Sequence, residues 1–199
     1  MRCVAGADVA LDLRRGRAIA GVIVYRFPEF EEVERAWALR PLRFPYVPGL
    51  LSFREAPALL AAFRRLRRAP DLIFCDGQGY AHPRRFGLAC HLGVLLDCPT
   101  IGAAKSRLIG THTEPGGERG SWSPLIDAEN GETIGAVVRT RAAVRPIYVS
   151  QGHRISLAHA IEMTLAVCDG LRIPRPTREA DHYVEALKRG ERGRTRRAR

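Results

Sequence analysis

Asp8 and Asp76 are the two acids whose neighbours make them hard to read as plain surface carboxylates. Asp8 falls inside an alternating run, "CVAGADVALDL" (3–13). Cys3, Ala5, Ala7, Val9, Leu11 and Leu13 share one side, and Val4, Gly6, Asp8, Ala10 and Asp12 the other. Aspartate is poor in a strand interior, and Gly6 and Ala10 are too small to shield it. A carboxylate there loses hydration and needs a cation or strong donors. Asp76 closes a short apolar run, "DLIFCDG" (71–77). Parallel strands present their carboxyl ends on the ligand side of an open sheet, so neighbouring strands would bring both acids to one spot.

The chain has 199 residues and a net charge of +11, from 32 Lys and Arg against 21 Asp and Glu. Such an excess points to a polyanionic partner, DNA or RNA or an acidic membrane surface. Converging carboxylates at a phosphate-binding surface require a cation between them. Mg²⁺ is held by one or two carboxylates, keeps several waters and accepts substrate phosphate oxygens. It can activate water for an in-line displacement. Asp76 before Gly77 also reads as a turn-forming pair, and spacing alone leaves both readings open.

Other candidates each have a plainer rival. "SFRE" (52–55) matches a capping box, in which Ser52 caps a helix and Glu55 reaches back to the Ser52 amide. From local sequence the cap is preferred to a metal ligand. Lys105 ends the strand after Asp76 and can hold a phosphate as a point charge, or stand as an exposed strand-end lysine. His153 ends "PIYVSQGH" and can position water or neighbour a metal; a lone strand-end histidine is more often polar surface. His82 shares that ambiguity. Gly77 and Gly79 permit close approach of a flat ligand, or a tight turn.

The elements that would position these residues read as follows. A strand over 3–13 turns at "RRGR" (14–17) into a strand over 18–25. Residues 29–40 fit a helix by propensity or a third meander strand. A helix over 52–68 buries Leu59, Phe63 and Leu66. Then come a strand at 71–77, a helix at 84–97, a strand at 99–105 and a long loop at 110–122. Strands at 134–140 and 146–153 follow. The helix at 156–170 is capped by Ser156 and stopped by Gly170, and the helix at 177–191 is the last. A hairpin or meander followed by βαβ units predicts an α/β fold, with a mixed sheet and helices on both faces.

Five blocks change the odds at the site. "FPYVPGLLSFRE" (44–55), "DGQGYAHPRRFGLACHLG" (76–93), "GAAKSRLIG" (102–110), "RPIYVSQGHRISL" (145–157) and "PRPTREAD" (174–181) occur in this order. Together they closely resemble the endonuclease V family, the deoxyinosine 3′ endonucleases. The resemblance implies a ribonuclease H-like fold, an antiparallel meander then parallel strands, so 29–40 becomes a third strand. It implies Mg²⁺-dependent hydrolysis, with Mn²⁺ expected to substitute, of the second phosphodiester 3′ to hypoxanthine, leaving 3′-hydroxyl and 5′-phosphate ends.

By resemblance, Asp8, Glu55 and Asp76 form the metal site, so Glu55 is promoted from cap to catalytic acid. Lys105 takes the lysine near the scissile phosphate and His153 the "GHRIS" histidine. Pro45, Tyr46, Val47 and Pro48 resemble a wedge, with Tyr46 filling the gap left by a flipped base. Flipping costs a few kcal/mol, least for a mispaired base, and flanking prolines limit the ordering cost of insertion. Gly77 and Gly79 would read the base through backbone amides, with His82 beside them and Leu108 lining the pocket.

Residues 1–187 are expected to form one nuclease domain and carry +5. Residues 188–199, "KRGERGRTRRAR", carry +6 and are expected to be a disordered tail. Five cysteines without a C-x-x-C pair fit reduced, buried thiols. No signal peptide or membrane span is expected, and a cytoplasmic monomer is. The substrate is expected to be damaged duplex or single-stranded DNA. The alternatives are inosine in RNA, since single-stranded RNA also offers unstacked bases, or a non-catalytic nucleic-acid binder.

Overall fold

The computed structural model describes residues 1–47 and 49–197. The first strand β1 (Cys3–Asp12) is followed, after a 3-10 turn at Leu13–Arg15, by β2 (Arg17–Arg26) and β3 (Glu32–Pro41). Gly16 closes the turn with φ +58, a conformation glycine adopts without a Cβ penalty. The ambiguous segment is therefore a strand, as the resemblance implied. Its alternating burial at Ala36 and Ala38, against β2, overrides the helical propensity of its glutamates.

Next come α1 (Leu51–Phe63), β4 (Leu72–Cys75), α2 (Leu88–Leu96) and β5 (Thr100–Ala104). The chain continues through β6 (Trp122–Ile126), β7 (Thr133–Val138), β8 (Ile147–Gln151), α3 (Leu157–Val167) and α4 (Arg175–Arg197). Among the described residues the strands form one eight-stranded sheet, ordered β3-β2-β1-β4-β5-β8-β7-β6. The β1–β4 and β4–β5 pairs are parallel and the other pairs antiparallel. The sequence reading did not include β6. It is an edge strand holding Pro124, which an edge tolerates and a central strand does not.

Alternation sorts the core onto two faces. Ala5, Ala7, Ile73 and Cys75 pack against Leu59 and Phe63 of α1 and Leu88 and Leu92 of α2. Val4, Leu72, Phe74, Ile101 and Ala103 pack against Ala160, Ile161 and Val167 of α3. Asp8, Asp76 and Lys105 continue this second set at period two, which sends all three side chains to one face.

Three local expectations meet the structure differently. The N-cap of α1 is Leu50, with no side-chain cap hydrogen bond, so Ser52 lies inside the helix and the capping box does not form. Ser156 does cap α3, accepting from the His159 amide at 3.2 Å. The α4 backbone stays helical to Arg197, through much of the segment expected to lack structure. Cys75, Cys90, Cys98 and Cys168 are buried free thiols, and Cys3 is half-buried. Among the described residues no helix is long and apolar enough to cross a membrane.

Candidate active site

Parallel pairing matches Ala7 of β1 with Cys75 of β4, so Asp8 and Asp76 both follow the last matched pair. β5 adds Lys105 one residue past its own end. α4 supplies a fourth group, Asp181, by crossing β1 at very short range. A Cβ on Gly6 would come within 1.9 Å of the Pro176 carbonyl oxygen. The face of small residues around Asp8 is thus the face on which α4 sits.

The charges feel one another strongly. Burial, opposed by a hydrogen bond from the Val9 amide and reinforced by Asp76 and Asp181, pushes the Asp8 carboxyl up to about 7. Burial, together with Asp8 and Asp76, pushes Glu55 up to about 8. The Lys105 ammonium ion-pairs with Asp76 at 2.5 Å and reaches Asp181 at 3.8 Å. Burial works against the lysine's charge, but its bond to Asp76 and the surrounding acids raise its pKa overall.

This is the local chemistry of a cation site. Asp8 and Glu55 are desolvated together, and the Lys105 ammonium sits on Asp76 and Asp181 beside them. All the donors are oxygens, which suits a hard divalent ion. As the side chains stand, with Lys105 on Asp76, no three His, Cys, Asp or Glu groups among the described residues are grouped to hold a metal.

Beside the acids lies a cavity of about 390 Å³, within the size range of small-ligand sites. Of the residues singled out in the sequence, Tyr46, Val47, Asp76, Gly77, His82, Lys105 and Leu108 line it. Tyr46 is 70% exposed and Leu108 51%, so both are free to meet a ligand. Burial and the nearby Arg84 lower the His82 pKa, which favours neutral imidazole. Its Nδ1 accepts from the Arg84 amide at 3.2 Å, and the Arg84 guanidinium donates to the Gly49 carbonyl at 2.9 Å. The 44–49 loop is thereby tied to the loop after β4.

Two expected site residues are placed elsewhere. β8 runs antiparallel to β5, so its end lies beside Thr100, where β5 begins, while Lys105 follows the end of β5. His153 is thus roughly 16 Å along the strand from Lys105, and its ring faces Asp97 at 3.3 Å. The Gly79 amide donates to the buried Ser150 hydroxyl at 2.9 Å, so it does not face the cavity. A Cβ there would lie 2.3 Å from the Gln151 carbonyl oxygen, so close packing on β8 is what requires glycine. Pro45 is exposed but does not line the cavity, and Pro48 lies outside the described residues.

Other contributors had weaker signals. Asp181 stood in the "PTREAD" block without a role of its own. Gln78 donates to the Ser106 carbonyl at 3.0 Å, and Arg172 donates to the Lys105 carbonyl at 2.9 Å. Both fix the segment that carries the lysine, and no local pattern marks either one.

The family model for endonuclease V matches residues 1–182. The chain belongs to the endonuclease V family. It is 54% identical to the endonuclease V of a Roseiflexus species over 181 residues, 91% of this chain and 80% of the relative. The crystal structure of Streptomyces avermitilis endonuclease V superposes with a TM-score of 0.90 at 46% identity, covering 95% of this chain and 82% of that one. Ciona intestinalis endonuclease V, solved with a 24-mer DNA containing an inosine followed by a ribo-adenosine, matches with a TM-score of 0.81 at 29% identity. That match covers 94% of this chain and 87% of the Ciona chain. The fold is the ribonuclease H-like fold of endonuclease V, and the chain is a nuclease whose partner is nucleic acid.

Proposed function

We propose that this endonuclease V hydrolyses DNA at deaminated adenine, cutting the second phosphodiester 3′ to hypoxanthine and leaving 3′-hydroxyl and 5′-phosphate ends. The observation that carries this reading is the meeting of Asp8, Glu55, Asp76 and Asp181 with Lys105 beside a base-sized cavity walled by an exposed tyrosine. The inosine-containing DNA bound by the Ciona relative supports the same substrate.

Asp8, Glu55 and Asp76, joined by Asp181, would hold Mg²⁺, with Mn²⁺ able to replace it. The bound ion supplies an activated water and charge neutralisation at the leaving oxygen. Lys105, whose ammonium pairs with Asp76, would hold a non-bridging phosphate oxygen as a point charge. Tyr46 enters the stack where the lesion base has left it, and the base lies between Leu108, Leu88 and Gly77. A neutral His82 keeps the wedge loop seated on the loop after β4.

Asp76→Ala tests the reading. It removes an acid but no core contact, so the variant should bind a hypoxanthine oligonucleotide as well as wild type and show no cleavage with Mg²⁺. Retained cleavage would refute the assignment. A non-catalytic binder predicts no cleavage by the wild type either.

Inosine in RNA is a second reading, favoured by the ribonucleotide that follows inosine in the Ciona complex. Competing DNA and RNA oligonucleotides, each with one hypoxanthine, separate the two by relative cleavage rate.

A further inference from the structure

A second cavity, of about 520 Å³, opens on the other side of the α1 N-terminus. Its walls include Arg40, Arg43, Arg54, Phe44 and Phe53, and no acid lines it. Phe44 and Phe53 stack with centroids 5.7 Å apart and planes 26° from parallel, and Phe53 is half-exposed. Arg54 also lines the cavity, with its Nε buried behind the surface, and its charge acts on Glu55. Arginines around exposed stacked rings form the surface that takes an unpaired nucleotide, with the phosphate on the cations and the base on the rings.

Its position along the sheet says which nucleotide. The first cavity borders Asp76 and Ala104, after β4 and on β5. The acids stand over β1 and β4. The second cavity borders Ala18 on β2 and Arg40 and Pro41 on β3. In the order β3-β2-β1-β4-β5, the strand that carries Asp8 lies between those bordering the two cavities, and β3 lies roughly 14 Å from β4. Ala18 packs on the α1 side of the sheet, the side from which Glu55, next to Arg54, meets Asp8 and Asp76. The first turn of α1 divides the cavities as well: Leu51 and Ser52 face one, Phe53 and Arg54 the other.

We propose that this arginine–phenylalanine cavity binds the nucleotide on the 3′ side of the scissile phosphate, the one that begins the 5′-phosphate product. The proposal rests on the reading of the first cavity as the lesion site. It makes the strand lie across the sheet with the lesion over β4 and β5, the cut over the acids, and the leaving fragment over β2 and β3.

The test is binding of single-stranded hypoxanthine oligonucleotides by fluorescence anisotropy without divalent metal. One set stops at the nucleotide before the cut, and the other extends three nucleotides past it. Wild type should bind the longer set about tenfold more tightly. Phe53→Ala should lose most of that gain and bind the short set like wild type. The exposed pair Arg40→Ala/Arg43→Ala, which leaves the aromatic stack in place, should lose it too. An abasic nucleotide just past the cut should abolish the effect of Phe53→Ala but not that of the arginine pair. Equal weakening of both sets, or no change in either, would overturn the proposal. Equal binding of hypoxanthine and adenine within the short set would refute the lesion reading itself, a failure distinct from loss of the length-dependent gain.

Discussion

At the scale of single residues, the buried acids predict an unusual pH dependence. Unfolded carboxylates titrate near their ordinary values of 3.8 and 4.5, whereas Asp8 and Glu55 are held at about 7 and 8. The folded chain therefore keeps more protons between those limits, and metal-free stability falls as pH rises through that window. Below it the penalty is absent, and above it the penalty is complete. Asp8→Asn removes a share on the order of 2 kcal/mol at pH 8.5, which for a chain of this size raises the unfolding temperature by about 5 °C. Thermal unfolding in chelator should show the variant's advantage growing from pH 5 to pH 8.5. Added Mg²⁺ should stabilise wild type more at pH 8.5 than at pH 6, because ligands deprotonate on binding. Parallel wild-type and variant curves across pH would contradict the electrostatic account.

At the scale of elements, the sheet and α4 deliver the acids, and one glycine sets their depth. Gly6→Ala would force a Cβ onto the Pro176 carbonyl and lift α4, carrying Asp181 away from Asp8. The expected result is destabilisation by roughly 1–3 kcal/mol from overpacking, with a cleavage rate that falls further than that of a stability-matched core variant. Denaturant unfolding and single-turnover cleavage together check this, and an unchanged cleavage rate would show that α4 does not position the site.

This element scale also shows where the sequence is legible. Period-two alternation around Asp8 and the apolar run before Asp76 are enough to place Asp8 inside one strand and Asp76 at the end of another, both turned to one face. Glu55 is not legible from local spacing, because S-x-x-E looks the same whether it caps a helix or not. Only the Leu50 cap in the folded chain separates the two. Gly79 is misread as a base contact because a glycine gives no local sign of whether a ligand or another backbone approaches it. His153 is misplaced for a topological reason: a strand-end residue joins the site only if its strand runs the right way, and β8 runs antiparallel to β5. Asp181 needs α4 to fold back over β1, a contact between residues far apart in sequence.

At the scale of the whole molecule, a net charge of +11 supplies the long-range attraction for a polyanion that a cluster of acids by itself would repel. More than half of the net charge, +6 of +11, lies at 188–199. Deleting those residues should flatten the salt dependence of binding by about one unit of slope for each phosphate that the segment neutralises, with no change in which base is recognised. An unchanged slope would show that the segment does not touch phosphate. The central claim is that this acid cluster, charged with a divalent ion, cuts beside hypoxanthine. It is tested most directly by one gel: a duplex with a single hypoxanthine, labelled at the 5′ or the 3′ end, incubated with and without Mg²⁺ beside an adenine control. The account predicts Mg²⁺-dependent fragments whose lengths place one cut at the second phosphodiester 3′ to hypoxanthine. Cleavage in chelator, equal cleavage of the adenine duplex, or an intact hypoxanthine strand in Mg²⁺ would contradict it.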